Sequence, residues 1–259
     1  MEGVIDFQMR EILTDINQYD LCITEFLRVV DRALPAHLFH KLAPELRNNS
    51  GYTRSGTPIR LQLLGQEPNW LAENAFIADQ LGSHGIDLNF GCPAPTVNKH
   101  KGGAALLKEP ELINQIIKNV KSALSSSDQS LSVKIRLGFD DTTLLNEIIS
   151  AIDDAKPDLL TVHARTKKQG YRPPAHWHYI KKISMLTDVA IVANGEIWSK
   201  QDALNCTKIA GTRDIMVGRG ALASPNLANV IKGNESNMPW EAVCQLFLNW
   251  LDKSSCSKP

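Results

Sequence analysis

Short apolar runs alternate along the chain with segments in which apolar residues recur every three or four positions. The runs are typical of buried strands, and the three-to-four spacing is typical of helices. The pattern predicts seven strands, at 21–26, 58–65, 85–90, 132–138, 159–164, 190–195 and 214–218. It predicts helices at 1–20, 70–81, 110–124, 144–155, 177–186, 200–209, 225–231 and 239–252. This alternation indicates a parallel sheet, and strands that are apolar on both faces indicate a sheet covered by helices.

The polar residues of this pattern favour a barrel over an open sheet. Nearly every predicted strand ends in a polar or glycine-containing group. An open doubly wound sheet gathers its ligand groups at one switch point, whereas a barrel builds its site from all the strand ends. We therefore predict an α/β fold of the (β/α)8 TIM-barrel class. Because seven strands are visible and the chain opens with what looks like the loop after a strand, we expect the first barrel strand to be missing.

Length and composition agree with one such barrel in a soluble protein. The 259 residues are 43% apolar and 22% charged, as in ordinary globular proteins. Basic and acidic residues number 28 each, so a polyanionic partner would have to meet a local basic patch. Five cysteines without a CxxC pair argue against disulfides and a metal site, and no apolar run reaches membrane-spanning length. We expect a cytoplasmic protein.

The stretch Asn-Phe-Gly-Cys-Pro at 89–93 follows the third predicted strand. Gly91 and Pro93 interrupt the strand, so Cys92 is expected in a constrained loop just past its end. A thiol is mostly protonated at neutral pH and can deliver a proton to a substrate. Taken alone, a cysteine is more often a small buried hydrophobic side chain, so the rest of the chain has to decide.

The last two predicted strands are followed by polar, glycine-containing turns. Asn194, Gly195 and Glu196 follow one strand, and Gly218 and Arg219 end the other. TIM barrels commonly bind a phosphate at these positions, through backbone N–H groups and a short helix. The alternative is a tight turn with a solvated arginine.

Three further strand residues can contact a flat polar ligand. Lys134 lies in an apolar strand, where an unpaired ammonium is costly, and is expected to face an anion or an electron-rich ring. His163 and Gln62 can bind a ring or phosphate, or can be hydrogen-bonded core residues. With the phosphate turns, these groups suit a phosphorylated, electron-accepting cofactor, flavin mononucleotide (FMN), with Cys92 as a proton donor beside it.

Basic residues cluster after the third and fifth predicted strands, on the same side of the predicted barrel. Such a rim can bind RNA phosphates, and the alternative is an ordinary solvated loop. The residues are Lys99, His100, Lys101, Arg165, Lys167, Lys168 and Arg172.

Nine stretches, in order, resemble the tRNA-dihydrouridine synthases, most closely their bacterial C subfamily. They are MEGV from residue 1, CITEFLRVVD from 22, RLQLLGQ from 60, GIDLNFGCPAPTVN from 85, KGGAALL from 101, SVKIRLG from 132, VHARTKKQGYR from 162, VANGEIW from 192 and VGRGAL from 217. The resemblance implies an oxidoreductase that uses FMN and NADPH to reduce uridine to 5,6-dihydrouridine in the tRNA D-loop, at position 16.

The resemblance also implies roles for individual residues. Cys92 would protonate C5 of the uracil ring while reduced flavin delivers hydride to C6. Residues implied to bind the flavin are Met1, Gln62, Lys134, His163, Asn194, Gly195, Glu196, Gly218 and Arg219. Residues implied to contact tRNA are Arg28, Asn89 and Tyr171. We expect a monomer without a metal site.

The resemblance divides the chain into a flavin-binding barrel, 1–233, and the start of a C-terminal helical tRNA-binding domain, 234–259. Because family members begin with an additional strand and continue into a full helical domain, we expect a sequence truncated at both ends. Two alternatives remain open at this point. One is an FMN-dependent reductase of a free pyrimidine, and the other is an inactive remnant.

Overall fold

The computed structural model describes residues 3–124 and 129–255, with side chains described up to residue 250. Seven strands form one parallel sheet in which each strand pairs with the next along the chain. Every strand lies within two residues of its predicted bounds, and the predicted α/β class is confirmed. The strands are β1 Cys22–Arg28, β2 Ile59–Leu64, β3 Ile86–Asn89, β4 Leu131–Arg136, β5 Leu159–His163, β6 Ala190–Asn194 and β7 Asp214–Met216.

Helices precede, separate and follow the strands. They are α1 Phe7–Ile16, α2 Ala36–Leu42, α3 Glu45–Asn48, α4 Pro68–Gln80, α5 Pro95–Lys99, α6 Pro110–Ala123, α7 Leu145–Ala155, α8 His178–Ile183, α9 Lys200–Ala210, α10 Arg219–Ala223, α11 Leu227–Lys232 and α12 Trp240–Ser255, with a 3-10 helix at Gly103–Lys108. The predicted helix at 1–20 was too long: α1 begins only after Asp6, whose side chain accepts a hydrogen bond from the Met9 backbone N–H. The pattern missed α2, α3, α5 and α10, all of seven residues or fewer.

The two faces of the sheet differ in polarity, contrary to the expectation of strands that are apolar on both faces. One face packs under the helices through fully buried residues such as Leu61, Leu88 and Val133. The opposite face carries three rows of polar residues in register from strand to strand. The rows are Gln62, Asp87 and Ser132; Asn89, Lys134 and Thr161; and Arg136, His163 and Asn194. These rows make one face of the sheet suited to binding a polar ligand.

Helices join the two ends of the sheet. Asn17, just after α1, donates from Nδ2 to the Pro225 carbonyl at 2.6 Å and accepts from the Asn229 N–H at 3.2 Å. Asn229 of α11 also donates to the Ile16 carbonyl at 2.9 Å. Because α1 precedes β1 and α11 follows β7, these bonds bring the first and last parts of the α/β unit together.

The segment after α11 folds back on the same region. Asn226 donates from Nδ2 to Glu235 and accepts from the Met238 N–H, and Val243 of α12 is buried. Trp240 and Leu248 of α12 remain largely exposed. The predicted domain boundary at 233/234 stays a prediction. Within the described ranges no helix is both long and apolar enough to cross a membrane.

Candidate active site at the carboxyl ends of the strands

Cys92 lies half-buried in a loop that several hydrogen bonds hold in place. Asn89, the last residue of β3, accepts from the Gly91 N–H at 2.9 Å, and Arg136 Nε donates to the Gly91 carbonyl at 2.8 Å. On the other side, Asn98 Nδ2 donates to the Cys92 carbonyl at 2.9 Å. The constrained loop expected from the sequence is therefore present, and Arg136 is a residue of this site that the sequence analysis had not singled out.

The Gly-Gly pair ten residues later packs directly against this loop. The Ala104 N–H donates to the Cys92 carbonyl at 3.1 Å. Gly103 has a φ of +59°, and a Cβ added there would lie 3.0 Å from the Cys92 Cβ and 3.0 Å from Val97 Cγ1. Both the backbone conformation and the close approach require glycine, which explains this glycine of the motif.

A row of hydrogen bonds connects the polar side chains of β2 and β3. Gln62 Nε2 donates to Asp87 Oδ2 at 2.7 Å, and Asn89 Nδ2 donates to Gln62 Oε1 at 2.8 Å. Ser132 Oγ donates to Asp87 Oδ1 at 2.5 Å from the other side. The structure thus joins Gln62 and Asn89, predicted to bind different ligands, by a direct hydrogen bond, and it links Gln62 to the buried Asp87. An acid inside the apolar run of β3 was the only sequence signal for it.

Lys134 lies in the next row with part of its surface still accessible. Its ammonium donates to Asn194 Oδ1 at 3.3 Å, and Asn194 in turn donates to the Met216 carbonyl at 2.8 Å. Burial lowers the pKa of Lys134 to about 8, and the nearby Arg136 guanidinium acts in the same direction. Cys92 is close enough to interact electrostatically with Lys134. The structure therefore gathers Cys92, Lys134 and Asn194 as expected.

His163 and Gly195 pack against each other at the ends of β5 and β6. Burial, together with the surrounding cations Lys134, Arg136 and Arg165, holds the pKa of His163 well below its usual range. His163 is thus neutral at physiological pH, with one ring nitrogen able to donate and one able to accept. A Cβ at Gly195, where φ is +115°, would lie 2.8 Å from His163 Cδ2, so glycine is required there.

Glu196 pairs with two arginines at the same edge of the sheet. It forms an ion pair with the fully buried Arg165, accepts from Arg219 at 3.4 Å, and accepts from the Trp198 indole at 3.0 Å. The expectation that Arg165 belongs to an exposed basic rim was wrong. Its Nη1 is buried and has no hydrogen-bond partner within the described part of the chain.

Tyr171 covers Arg136 and Arg219 at the carboxyl ends of the strands. Its ring centroid lies 5.2 Å from the Arg136 guanidinium carbon and 4.8 Å from that of Arg219, and its ring is 53% exposed. Arg219 also lies 5.0 Å from the Trp198 ring. These distances are typical of cation–π contacts. An exposed aromatic ring can stack on a base, and the contact of Tyr171 with tRNA stays a prediction.

The remaining predicted residues lie around this centre or outside the described part. Gly218 directly precedes α10, so Arg219 is the first residue of that short helix. Arg28 is exposed at the end of β1, and Met1 lies outside the described residues. Lys167 is half-buried over the Phe139 ring. The other residues of the basic rim are exposed, as expected: Lys99, His100, Lys101, Lys168 and Arg172. Among the side chains described, no group of three or more His, Cys, Asp or Glu could hold a metal ion.

The chain is similar to known proteins over nearly its whole length. The chain matches the family described as "Dihydrouridine synthase (Dus)" over residues 1–254. It is 51% identical to the tRNA-dihydrouridine(16) synthase of Vibrio vulnificus strain CMCP6 over 251 residues, which are 96% of this chain and 78% of that protein. It is 52% identical to the protein of the same name from Escherichia coli strain K12 over 247 residues, 95% of this chain and 78% of that protein.

Among solved structures, histamine dehydrogenase from Rhizobium sp. 4-9 is similar in fold, with a TM-score of 0.67 and 15% identity over 90% of this chain and 44% of that one. An old yellow enzyme homologue from Zymomonas mobilis has a TM-score of 0.60 and 11% identity over 93% of this chain and 88% of that one. At such low identity these two structures support the fold alone. The match across residues 1–254 and the identity of about half of all aligned residues show that the chain belongs to the dihydrouridine synthase family.

Proposed function

We propose that this chain reduces uridine to 5,6-dihydrouridine in the D-loop of tRNA, at position 16, with FMN as cofactor and NADPH as reductant. Family membership supports a flavin-dependent oxidoreductase acting on tRNA. The names of the curated relatives support position 16. NADPH and a monomeric state are parts of the proposal that rest on the family resemblance of the sequence. The cytoplasmic location rests on the unpaired cysteines and on the sequence having no apolar run of membrane-spanning length.

The observation that carries the proposal is the placement of Cys92. Its loop is held by Arg136 and Asn98, and the thiol is close enough to interact electrostatically with Lys134 and Arg136, which belong to the polar face of the sheet. A proton donor has to be held within reach of the carbon it protonates, and a fixed loop next to a ligand site provides this. A cysteine that served only as a core residue would lie among apolar side chains.

The polar groups around Cys92 fit FMN. Lys134 forms a long bond to Asn194, and its three N–H donors leave capacity for a ring carbonyl. The neutral His163 can donate to the cofactor without adding charge, and the buried donor at Arg165 Nη1 suits an anion. We infer that Gln62, Lys134, His163 and Asn194 hold the ring, and that Gly195, Glu196, Gly218 and Arg219 form the phosphate end, with Arg219 as the cation and Glu196 orienting it.

Cys92 Sγ holds the proton that C5 of the uracil ring receives. Once reduced by NADPH, bound FMN would supply the hydride for C6, so that one proton and one hydride convert the C5=C6 double bond into a single bond. Asn89 and Tyr171 hold the uracil ring at the mouth, since an amide and an exposed aromatic ring can bind the edge and the face of an unstacked base. Arg28 contacts the tRNA backbone together with the exposed basic rim.

We also propose that residues 1–233 form the flavin-binding unit and that 234–259 belong to a tRNA-binding region. The exposed Trp240 and Leu248 of α12 support this division, because they leave one side of that helix accessible.

The test is an assay of the purified chain with FMN, NADPH and tRNA that lacks dihydrouridine, with the product located by mass spectrometry of tRNA fragments. Cys92→Ala is expected to lower dihydrouridine formation by roughly 100-fold or more, within the range for loss of a positioned acid. It is expected to retain FMN binding. Cys206→Ala, which alters a buried cysteine of α9 in the core under the helices, is the matched control and should keep activity close to that of the wild type.

The results of this assay distinguish the proposed reaction from a free-pyrimidine reductase and from an inactive remnant. Dihydrouridine at another tRNA position would replace position 16 while keeping the reaction. Reduction of free uracil without tRNA would favour a pyrimidine reductase, and a chain that neither binds flavin nor turns over would favour an inactive remnant. Equal activity of Cys92→Ala and wild type would refute the proton-donor role.

A further inference from the structure

A buried carboxylate lies behind the flavin-site amides and has no role in the proposed chemistry. Asp87 of β3 is fully buried, and its two oxygens accept hydrogen bonds from Gln62 at 2.7 Å and from Ser132 at 2.5 Å. Burying a carboxylate is costly unless hydrogen bonds and nearby cations compensate for its lost hydration. Burial raises the pKa of the Asp87 carboxyl, and the hydrogen bonds from Ser132 and Gln62 act against that rise, as do the charges of Arg60 and Lys134.

In the row of hydrogen bonds that starts at Asp87, each side-chain amide has only one orientation in which every donor faces an acceptor. A carboxylate only accepts, so Gln62 turns Nε2 toward Asp87 and Oε1 toward Asn89. The carboxamide of Asn89 then has its Nδ2 bonded to Gln62 and its Oδ1 bonded to the Gly91 N–H, which only donates. The row therefore runs from a fixed acceptor to the residue that precedes Cys92.

We propose that Asp87 is a positioning residue of the flavin site, which acts by fixing the orientation of the Gln62 carboxamide from the side opposite Asn89. The inference rests on the proposed function, because it assumes that Gln62 contacts FMN. With its orientation fixed, Gln62 presents the second lone pair of Oε1 as an acceptor, and Asn89 keeps a second N–H as a donor. Without Asp87, the Gln62 amide loses the partner of its Nε2 and is held only through Oε1 by Asn89, so its position toward the ligand is less well fixed.

Removing Asp87 also changes the packing and charge of the core, which could weaken FMN binding without any action through Gln62. The test therefore has to isolate the coupling between Asp87 and Gln62. We would measure FMN dissociation constants by fluorescence titration for Asp87→Ala, Gln62→Ala and the double variant. Loss of one hydrogen bond corresponds to a roughly tenfold weaker affinity, and both single variants are expected near that value. If Asp87 acts through Gln62, the double variant is no weaker than Gln62→Ala.

Two matched variants separate the hydrogen bond from charge and packing. Asp87→Asn keeps an acceptor toward Gln62 and is expected to bind FMN within about threefold of wild type, because one neutral bond replaces another. Ser132→Ala removes the other partner of the same carboxylate and leaves the Gln62 contact intact, so it should have wild-type affinity. A full tenfold loss for Asp87→Ala in the Gln62→Ala background would overturn the proposal, as would equal losses in Asp87→Asn and Asp87→Ala.

A measurement on the wild-type chain keeps the proposal testable if Asp87→Ala does not fold. The side-chain amide protons of Gln62, assigned by their loss in the NMR spectrum of Gln62→Ala, should exchange with deuterium much more slowly than those of the exposed Gln115. Equal exchange rates would overturn the proposal, since a fixed amide is protected. The exchange measurement needs no flavin, so it can contradict the role of Asp87 whether or not the proposed function is correct. The proposed function is contradicted separately, if the wild-type chain does not bind FMN.

Discussion

Replacement of Gly103 by alanine should disturb the Cys92 loop selectively. A Cβ at Gly103 would approach the Cys92 Cβ, the Cys92 carbonyl and Val97 Cγ1, each at 3.0 Å. Two of these three atoms belong to the residue that we propose as proton donor. The methyl group therefore has to move the Cys92 loop or the backbone of its own turn.

Two contributions set how much Gly103→Ala should lower the free energy of unfolding. Placing a non-glycine residue at a φ of +59° costs roughly 1 to 2 kcal/mol for the left-handed conformation. Contacts of 3.0 Å between carbon atoms lie inside their optimal separation of about 3.5 to 4.0 Å, so relief requires a shift of several tenths of an ångström or more. We expect the free energy of unfolding to fall by about 1 to 3 kcal/mol, as for other overpacked sites.

The loss of activity should exceed what this destabilisation explains. A displacement of about 1 Å at a reacting group can lower a rate by roughly 100-fold, so dihydrouridine formation is expected to fall by about 10- to 100-fold. Urea denaturation gives the stability, and mass spectrometry of tRNA treated at a temperature where the variant is folded gives the rate.

Gly102→Ala is the matched control one residue away. Gly102 has no positive φ, and the nearest atom to its added Cβ is Leu64 Cδ2 at 3.3 Å, the end of a side chain. This variant should lose much less activity than Gly103→Ala. Similar losses in both, or wild-type activity in Gly103→Ala, would refute the reasoning that Gly103 keeps the Cys92 loop in place.

Two further predictions concern charges. Burial lowers the pKa of Lys134 to about 8, so its ammonium is present below that pH and lost above it. FMN affinity should therefore fall as the pH rises through about 8, which FMN titrations at several pH values would show. Lys134→Met should bind FMN more weakly and show no such change with pH. The ion pair between Arg10 and Glu45 is fully buried at 2.7 Å, so Glu45→Ala should lower the free energy of unfolding by about 3 to 5 kcal/mol in urea denaturation. Arg32→Ala, which breaks the exposed pair with Asp31, should leave the free energy of unfolding close to that of the wild type, and similar losses in the two variants would contradict this assignment.

The strands and the Cys92 motif were predictable because their signals are local. A run such as Ile59–Leu64 has to be buried, and Gly91 and Pro93 interrupt a strand wherever it lies. The alternation of such runs with amphipathic helices is enough to indicate parallel strands, since the crossover connection needs a helix. The same reasoning missed α5 and α10, because helices of five residues are too short to show a period.

The partner of each polar residue could not be predicted in this way. Arg165 looks like a member of a basic loop, yet it is fully buried against Glu196, 31 residues later. Asp87 is an acid in an apolar strand, and its partners Gln62 and Ser132 come from the strands on either side. Whether a charged residue is solvated or paired depends on neighbours that only the folded chain supplies.

The sequence by itself determined the α/β architecture, the position of Cys92 just past a strand end and the family to which the chain belongs. These depend on residue order and on spacing over a few positions, which the chain carries whether or not it is folded. Only the tertiary structure decided that one face of the sheet is polar, that burial lowers the pKa of Lys134, and that Gln62 bonds to Asp87 on one side and to Asn89 on the other. Those properties depend on distances and on lost hydration, and both arise when strands far apart in sequence are brought into register.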